Sequence, residues 1–218
     1  MNSVSSALNT KHLYYPLFLD ISGKCCTVVG GGRIAERKVA MLLKFNAKVK
    51  LISPKITKNL LNLLQSGKIE VVYREYRIGD LEGASLVFAA TNINEINNEI
   101  KKEAGIKGIL VNVVDDPAMC DFIVPSIVKK DPVVIAISTS GILPLLSGKL
   151  KKEINTYITK DYIKYAHVIG KFRTFLIETV KDRKRRRKIM SEINKIDMKE
   201  IIQMDIKEIK ERFLKEKK

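Results

Sequence analysis

The chain has 218 residues, of which 45% are hydrophobic, and it carries a formal net charge of +16. This length and composition predict a globular protein of one or two domains with a substantial core. No apolar run approaches the roughly 18 residues of a membrane span, and no secretory signal is visible in the polar start, so we expect neither a membrane-spanning nor a secreted protein. We therefore expect a cytoplasmic protein with no membrane partner.

The cysteine pattern argues against disulfide and metal sites. Cys25 and Cys26 are adjacent inside a predicted buried strand, and Cys120 is far away in sequence. Such cysteines suit small core residues in a reducing compartment better than a disulfide framework. The spacing of cysteine and histidine does not match a structural zinc site either, so we predict no metal.

Most of the positive charge lies in the last 70 residues, which contain 22 Lys or Arg and 11 Asp or Glu. A field of this sign favours a polyanionic partner, such as nucleic acid, an acidic protein or a polycarboxylate ligand. A solvated, lysine-rich surface explains the same composition equally well. Within this part, the run Arg183–Lys188 could bind RNA or membrane phosphates, but such a run is more often one exposed stretch of helix, which is the interpretation that we favour.

In chain order, the polar residues 1–11 are predicted to form a frayed tail. Residues 13–20 are apolar and extended, and Pro16 limits them to a sheet edge or a short segment. A first strand is predicted from Cys25 to Val29, and it runs directly into the three glycines Gly30–Gly32.

The three glycines occupy the turn between this strand and a helix predicted from about Arg33 to Asn46. Read as G-x-G-x-x-A, the motif consists of Gly30, Gly32 and Ala35. In a dinucleotide site, the first glycine permits the tight turn, the second lets the backbone approach a pyrophosphate, and the small third residue lets the helix pack close to the strand. The helix N-terminus offers N–H groups and a positive dipole end to phosphates. The alternative is a glycine-rich loop that only makes a sharp turn.

Strands and helices continue to alternate after this loop. Strands are predicted at residues 49–52, 69–73, 86–90 and 109–114, and helices at 56–65 and 93–104, the second of which is stopped by Gly105. This order predicts an α/β protein with a Rossmann-type, doubly wound parallel sheet. The near-continuous apolar run of the last strand is typical of a sheet that is covered on both faces.

The pattern changes after Asp115. The apolar segments 122–128 and 132–138, separated by the turn residues 129–131, predict an antiparallel hairpin. Because an apolar hairpin outside the main sheet needs a cover, we expect it to form a dimer interface. A helix is predicted at about 145–158, and helical structure from 161 onward. The expected parts are an NAD-binding Rossmann domain at 12–115, a β dimerisation region at 116–144 and a helical carboxyl-terminal domain at 145–218.

A ligand of a doubly wound sheet lies outside the carboxyl ends of the strands. The candidate cofactor-binding residues that this rule brings together are Gly30, Gly31, Gly32, Arg33, Ile34, Ser53, Pro54, Lys55, Thr91 and Asn92. NAD enzymes often have an acid at the end of the second strand to bind the ribose 2′-OH, but here that place is Ser53. A serine can still bind a ribose hydroxyl, whereas Lys55 could meet the 2′-phosphate of NADP, so the residues alone leave this choice open.

The pair Asp115 and Asp116 supplies the candidate acid–base groups. Both follow a buried strand and belong to the same edge of the sheet as the glycine loop, where a carboxylate could take a proton from a bound substrate. The sequence Asp-Asp-Pro is equally typical of a plain turn.

Six groups of motifs occur together between about residues 13 and 158. They are Tyr15–Leu19 (YPLFL), Val28–Gly32 (VVGGG) with Ala35–Lys38 (AERK), Ala89–Thr91 (AAT), Asn112–Asp115 (NVVD), Phe122–Ile127 (FIVPSI) and Ala136–Ser138 (AIS). With these motifs in this order, the chain resembles precorrin-2 dehydrogenase and the amino-terminal domain of siroheme synthase. The remaining carboxyl-terminal residues lie outside this resemblance.

The resemblance implies a homodimer that uses NAD to oxidise precorrin-2 to sirohydrochlorin, on the way to siroheme. It implies that Asp115 is the catalytic acid–base group. The residues that it places near the tetrapyrrole substrate are Asn112, Ser138, Thr139 and Ser140. Members of the family often have Ser-Gly-Gly-x-Ser-Pro after the last strand, where this chain has Thr-Ser-Gly-Ile-Leu-Pro at 139–144. This departure alters the expected tetrapyrrole contacts and weakens the transfer of the iron-inserting activity that some members have.

Two alternatives follow from the same observations. One is a bifunctional enzyme that also inserts ferrous iron into sirohydrochlorin, using the same aspartate. The other is a non-catalytic module that binds a dinucleotide, or binds nucleic acid through its basic tail. We do not expect a nucleic-acid partner, because the motifs include the catalytic Asp115 as well as the fold.

Overall fold

The structure is a computed structural model, and it describes residues 13–214. The predicted tail at 1–11 lies outside the described residues. The chain divides into two compact units, the first ending at Val124 and the second beginning at Pro125. Each unit has a hydrophobic core of its own.

The first unit is built on a five-stranded parallel sheet. Its strands are β1 (Cys25–Val29), β2 (Lys48–Ile52), β3 (Glu70–Val72), β4 (Leu86–Ala89) and β5 (Leu110–Val113). They lie in the order β3-β2-β1-β4-β5, and every neighbouring pair is parallel. The predicted doubly wound sheet is confirmed. The strand order reverses at β1, so the loop after β1 lies at the switch point where such sheets bind their ligands.

Three helices cover this sheet. They are α1 (Arg33–Lys44), α2 (Lys58–Gln65) and α3 (Asn94–Lys107). Apolar residues of α1 and α2 pack against one set of strand residues, which includes Val28 and Leu51. Apolar residues of α3 pack against a second set, which includes Val29 and Ile52. Because successive strand residues point to opposite faces, the two sets form separate cores on the two sides of the sheet.

Several predicted boundaries change. The prediction that Gly105 stops α3 is wrong, because the helix continues to Lys107 and ends at Gly108, which has a left-handed φ of 67°. Helix α1 ends at Lys44, two residues before the predicted end at Asn46, and Asn46 has a left-handed φ of 58°. The segment at 13–20 lies outside the sheet, and several of its large side chains are exposed.

The second unit begins with a hairpin of β6 (Ser126–Lys130) and β7 (Val133–Ile137), whose strands are antiparallel as predicted. The predicted turn at 129–131 is too early by about one residue, since Asp131 and Pro132 alone connect the strands. Residues 122–125 do not extend β6. Phe122 belongs to the first unit instead, where its ring meets Phe88 edge to face at 5.5 Å.

Helices form the rest of the second unit, as predicted. They are α4 (Pro144–Tyr157), α5 (Lys160–Thr179), α6 (Arg183–Ile193), α7 (Met198–Ile201) and α8 (Ile206–Leu214). Phe172 and Leu176 of α5, with Ile193, Ile201 and Ile209, form a core that is almost completely buried. Helices α6 to α8 therefore bury apolar residues and expose mainly charged ones. Between residues 13 and 214, no helix is both long and apolar enough to cross a membrane.

Candidate functional site

A cavity of about 670 Å³ lies at the carboxyl ends of the parallel strands, within the first unit. All ten predicted cofactor-binding residues line it, together with Asp115. A volume of this size is typical of a small-molecule or cofactor site. The structure thus brings the glycine loop, the loop after β2 and the loop after β4 to one space, as the position of the switch point predicts.

The glycine loop is shaped by close backbone contacts. Gly30 has φ 116°, and a Cβ at this residue would lie 2.3 Å from the carbonyl oxygen of Ala90. A Cβ at Gly31 would lie 1.9 Å from the carbonyl oxygen of Lys55. At Gly32, by contrast, an added Cβ meets nothing within 4 Å. Gly30 and Gly31 are therefore required by the loop itself, whereas Gly32 leaves open space on the cavity side.

The N-terminus of α1 faces this open space. Gly32 is the N-cap residue, and no side chain caps the helix. The first-turn N–H groups and the positive end of the helix dipole are therefore left for an anion. The residues present fit the diphosphate of a dinucleotide, because the uncapped helix start and Gly32 line the same cavity.

A hydrogen-bond network holds the glycine loop against the loop after β2. The Thr57 hydroxyl donates to Glu36 Oε2 at 2.6 Å, and Asn59 Nδ2 donates to Glu36 Oε1 at 2.7 Å. The hydrogen bonds from Thr57 and Asn59 lower the pKa of the Glu36 carboxyl. The Thr57 N–H also donates to the Gly31 carbonyl at 3.1 Å. No pattern in the sequence indicates this network, although Glu36 belongs to the AERK motif.

Ser53 has a structural role at the place where an acid was expected. Its side chain is buried, and its hydroxyl donates to the Lys55 carbonyl at 2.7 Å. The hydroxyl hydrogen is therefore engaged within the loop, and only the lone pairs of the oxygen remain for a ribose hydroxyl.

Thr91 fixes the start of α3 beside the cavity. Its hydroxyl donates to Asn97 Oδ1 at 2.7 Å, and Asn97 Nδ2 donates back to the Thr91 carbonyl at 3.2 Å. The Ile93 N–H donates to the Thr91 hydroxyl at 3.2 Å. Thr91 thus acts mainly as a support for the loop, and Asn92 beside it is exposed and lines the cavity.

Asp115 and Asp116 have different roles. Asp115 is exposed at the cavity with φ 61°, a left-handed conformation that is uncommon for residues other than glycine. Backbone strain of this kind concentrates at functional sites. Asp116 instead caps the short 3₁₀ helix Pro117–Met119, where its Oδ1 accepts a hydrogen bond from Ala118 N at 3.1 Å. Of the two candidate acid–base groups, only Asp115 lines the cavity.

The residues expected near a substrate are distributed over both units. Asn112 is buried in β5, and its amide donates to the Phe122 carbonyl at 2.9 Å, so it acts as a structural residue in the first unit. Ser138, Thr139 and Ser140 lie in the second unit, in a turn where the Ser140 N–H donates to the Ser138 hydroxyl at 2.9 Å. Their proximity to a substrate stays a prediction.

Two residues that sequence reasoning missed follow β3 and line the cavity: Glu75 and Tyr76. Tyr76 is buried and donates a hydrogen bond to the buried Glu103 carboxylate, which also accepts from Gly79 N at 2.9 Å. Burial, and then the bond to Glu103, raise the pKa of the Tyr76 phenol well above its usual range. The one sign of them in the sequence is a carboxylate just beyond a predicted parallel strand.

Lys38 of α1 lies over the ring of Phe88 and within electrostatic range of Asp115. Its ammonium group is 5.1 Å from the centre of the Phe88 ring. Burial is the main cause that lowers the pKa of Lys38, and the nearby Arg37 adds to it, while Cys120 and Asp115 act in the opposite direction. Between residues 13 and 214, the structure contains no cluster of three or more Cys, His, Asp or Glu side chains that could hold a metal ion.

Residues 17–126 match a protein family described as “Putative NAD(P)-binding”. The chain belongs to this family. The matched region contains all of β1–β5 and every residue that lines the cavity.

The proteins that this chain resembles include siroheme synthases. The siroheme synthase of Pseudomonas paraeruginosa is 36% identical over 174 residues, which are 80% of this chain and 37% of the relative. Those of Nitrosococcus oceani and Methylobacillus flagellatus are 38% and 40% identical, over 74% and 77% of this chain and 34% and 35% of the relatives. The chain thus spans little more than a third of the length of these relatives.

A solved structure shares the fold over almost the whole chain. It is that of “SirC, precorrin-2 dehydrogenase”, with a TM-score of 0.73 and 23% identity over 93% of this chain and 100% of that chain. The predicted fold class is confirmed by this match. The relatives together confirm the resemblance to precorrin-2 dehydrogenase and siroheme synthase that the motifs indicated.

Proposed function

We propose that the protein is a precorrin-2 dehydrogenase that uses NAD to form sirohydrochlorin in siroheme biosynthesis. The observation that carries this proposal is the position of Asp115, exposed at the cavity that the glycine loop forms. A dinucleotide-binding module needs no carboxylate there, whereas removal of a proton from a substrate does. The siroheme synthases among the relatives, and the precorrin-2 dehydrogenase with the same fold, support the same reaction.

The reaction removes one hydride and one proton from the macrocycle. NAD, when bound, accepts the hydride and supplies the oxidising power. The uncapped start of α1 and the backbone at Gly32 hold its diphosphate. The Asp115 carboxylate takes the proton from the macrocycle as conjugation extends. In this proposal the predicted cofactor and substrate residues keep these roles, except that Thr91 mainly supports the loop after β4 and Asn112 supports the fold.

NAD is the proposed cofactor in preference to NADP. Ser53 leaves no carboxylate at the end of β2, but the Glu75 carboxylate lines the same cavity after the neighbouring β3. A negative charge there would bind ribose hydroxyls and repel a 2′-phosphate. The positive charge of Lys55, which lines the same cavity, would instead attract a 2′-phosphate and so favour NADP. Glu75→Gln should therefore lower the ratio of kcat/KM for NAD to kcat/KM for NADP. An unchanged ratio would show that Glu75 does not contribute to the preference for NAD.

The remaining expectations are part of the same proposal. Most residues of β7 are apolar but only half-buried within the second unit, which supports a homodimer formed through the hairpin. Sedimentation of the full chain tests this state directly. Three free cysteines support a reducing cytoplasm. We also propose that residues 12–115 bind NAD, 116–144 mediate dimerisation and 145–218 form the helical domain.

The experiment is turnover of precorrin-2 with NAD, followed by the absorption spectrum of sirohydrochlorin. Asp115→Asn should lower kcat by about 10²–10⁴-fold, the usual contribution of a general acid or base. Asp116→Asn is the matched control, because it removes the neighbouring carboxylate that only caps a 3₁₀ helix. Normal turnover in the Asp115 variant would overturn its role. The same preparation with sirohydrochlorin and ferrous iron tests the bifunctional alternative.

A further inference from the structure

The basic run Arg183–Lys188 has a structural context that the dehydrogenase does not explain. It lies in α6, where residues three and four apart form one stripe. That stripe faces a stripe of α5, and the two enclose a cavity of about 360 Å³ in the second unit. The residues that line the cavity are Arg173, Leu176, Ile177, Arg183, Arg186, Arg187 and Met190.

Every charged residue that lines this cavity is an arginine. The chain has 30 lysines and only ten arginines, so a general lysine-rich surface would present mainly lysines here. The planar guanidinium group binds phosphate and carboxylate oxygens through two parallel hydrogen bonds, which an ammonium group cannot do. The choice of arginine therefore indicates recognition of an oxyanion rather than solvation alone.

The four positive charges have no counter-charge in the part of the chain that the structure describes. None of the four guanidinium groups pairs with a carboxylate between residues 13 and 214. Arg186 donates to the carbonyl oxygens of Val180 and Lys181, at 2.6 and 3.0 Å, and is held in place by them. The Asp182 carboxylate accepts from the Lys184 N–H instead. Like charges around one space repel each other, so a bound anion would stabilise this arrangement.

We propose that this cavity binds a small organic di- or triphosphate. A phosphate chain places about three or four negative charges in a compact volume, which matches four arginines better than single carboxylates do. Leu176, Ile177 and Met190 form an apolar wall that can contact the organic part of the ligand. The volume lies at the lower end of the range for small-molecule sites, which favours such a ligand over an extended polymer.

The test is calorimetric titration of the full chain with ADP at about 0.15 M salt, where long-range attraction is screened. The double variant Arg173→Gln/Arg187→Gln should weaken ADP binding about tenfold or more. The control Lys184→Gln/Lys188→Gln removes the same charge from residues of α6 that do not line the cavity, and should change the affinity less than about twofold. Both double variants leave the cavity of the first unit unchanged, so a difference in ADP affinity between them reports on the cavity of the second unit. Arg186 is left intact because of its backbone contacts.

Three results would overturn the proposal. Equal weakening in both double variants would mean that only the general positive field attracts ADP. Citrate binding as tight as ADP binding would contradict the preference for phosphate. Single-stranded RNA that binds through these arginines, with no ADP binding, would assign the cavity to nucleic acid. NADH fluorescence titration and thermal melting of each variant separate these results from any failure of the dinucleotide site or of the fold.

Discussion

Gly31→Ala gives the most direct test of how the glycine loop is built. The added Cβ would lie 1.9 Å from the Lys55 carbonyl oxygen and 2.7 Å from the Ser53 hydroxyl, whereas real Cβ contacts are not closer than 3.0 Å. The Lys55 carbonyl must therefore move by about 1.1 Å, and it is rigid backbone. The displacement strains two hydrogen bonds, from the Ser53 hydroxyl to Lys55 O and from Thr57 N to Gly31 O.

The size of the effect follows from these contacts. Overpacking costs about 1–3 kcal/mol, and each weakened hydrogen bond costs about 1 kcal/mol. We expect Gly31→Ala to lower the free energy of unfolding by roughly 3–5 kcal/mol. Because the same loop lines the cavity, the Kd for NAD should rise at least about tenfold, for a loss of about 1.4 kcal/mol in binding.

Gly32→Ala is the matched control. It has an extended backbone with φ −82°, which alanine adopts without strain, and its Cβ would meet nothing within 4 Å. Its methyl group would enter the cavity, at the place where we propose that the diphosphate binds. We expect unchanged thermal stability and weakened NAD binding, measured by melting curves and NADH fluorescence. A Gly31→Ala protein that melts and binds like the unsubstituted chain would refute the reasoning.

Two further predictions concern stability. Gly105 lies inside α3 with free space around its Cβ position, so Gly105→Ala should raise the free energy of unfolding by about 0.5–1 kcal/mol. Gly108→Ala at φ 67° should lower it, and melting curves compare the two; a rise in both would contradict the corrected end of α3. The hydrogen bonds from Arg74 hold the pKa of Asp80 below its usual value, so this pair stabilises the fold above about pH 4 and is lost as the pH falls through the folded-state pKa. Asp80→Asn should therefore be less stable at neutral pH but converge with the unsubstituted chain in acid, as measured by denaturant unfolding at each pH.

The parallel sheet could be predicted because the sequence pattern of each strand lies within a few consecutive residues and alternates regularly with helical patterns. Short apolar runs bounded by glycine, asparagine or proline predict buried strands, and their carboxyl ends share one edge. Strand β1 was predicted with its observed bounds, and the ten predicted cofactor-binding residues do meet at one cavity. Gly105 was misplaced as a helix end, because a glycine in free space inside a helix costs only about 1 kcal/mol and tertiary packing of Ile100 and Ala104 overrides it.

The parts that sequence reasoning missed depend on contacts across the chain. The constraint on Gly31 arises from Lys55, and Glu36 binds Thr57 and Asn59, which are more than 20 residues away. Such pairs have no periodic pattern, so only the folded structure reveals them. The division of roles between Asp115 and Asp116 is also invisible in sequence, since it depends on one backbone conformation at φ 61°.

The left-handed conformation of Asp115 also explains why Asp115 lines the cavity and Asp116 does not. Val114 N donates to the Ala89 carbonyl at 2.9 Å, which extends the pairing of β5 with β4 to the residue before Asp115. The left-handed turn at Asp115 then ends the strand abruptly, and Asp116 starts the 3₁₀ helix that it caps. An extended backbone at Asp115 would continue the strand beyond the sheet edge instead. The strained conformation thus places Asp115 at the cavity that the glycine loop lines, whereas Asp116 only caps the 3₁₀ helix that follows.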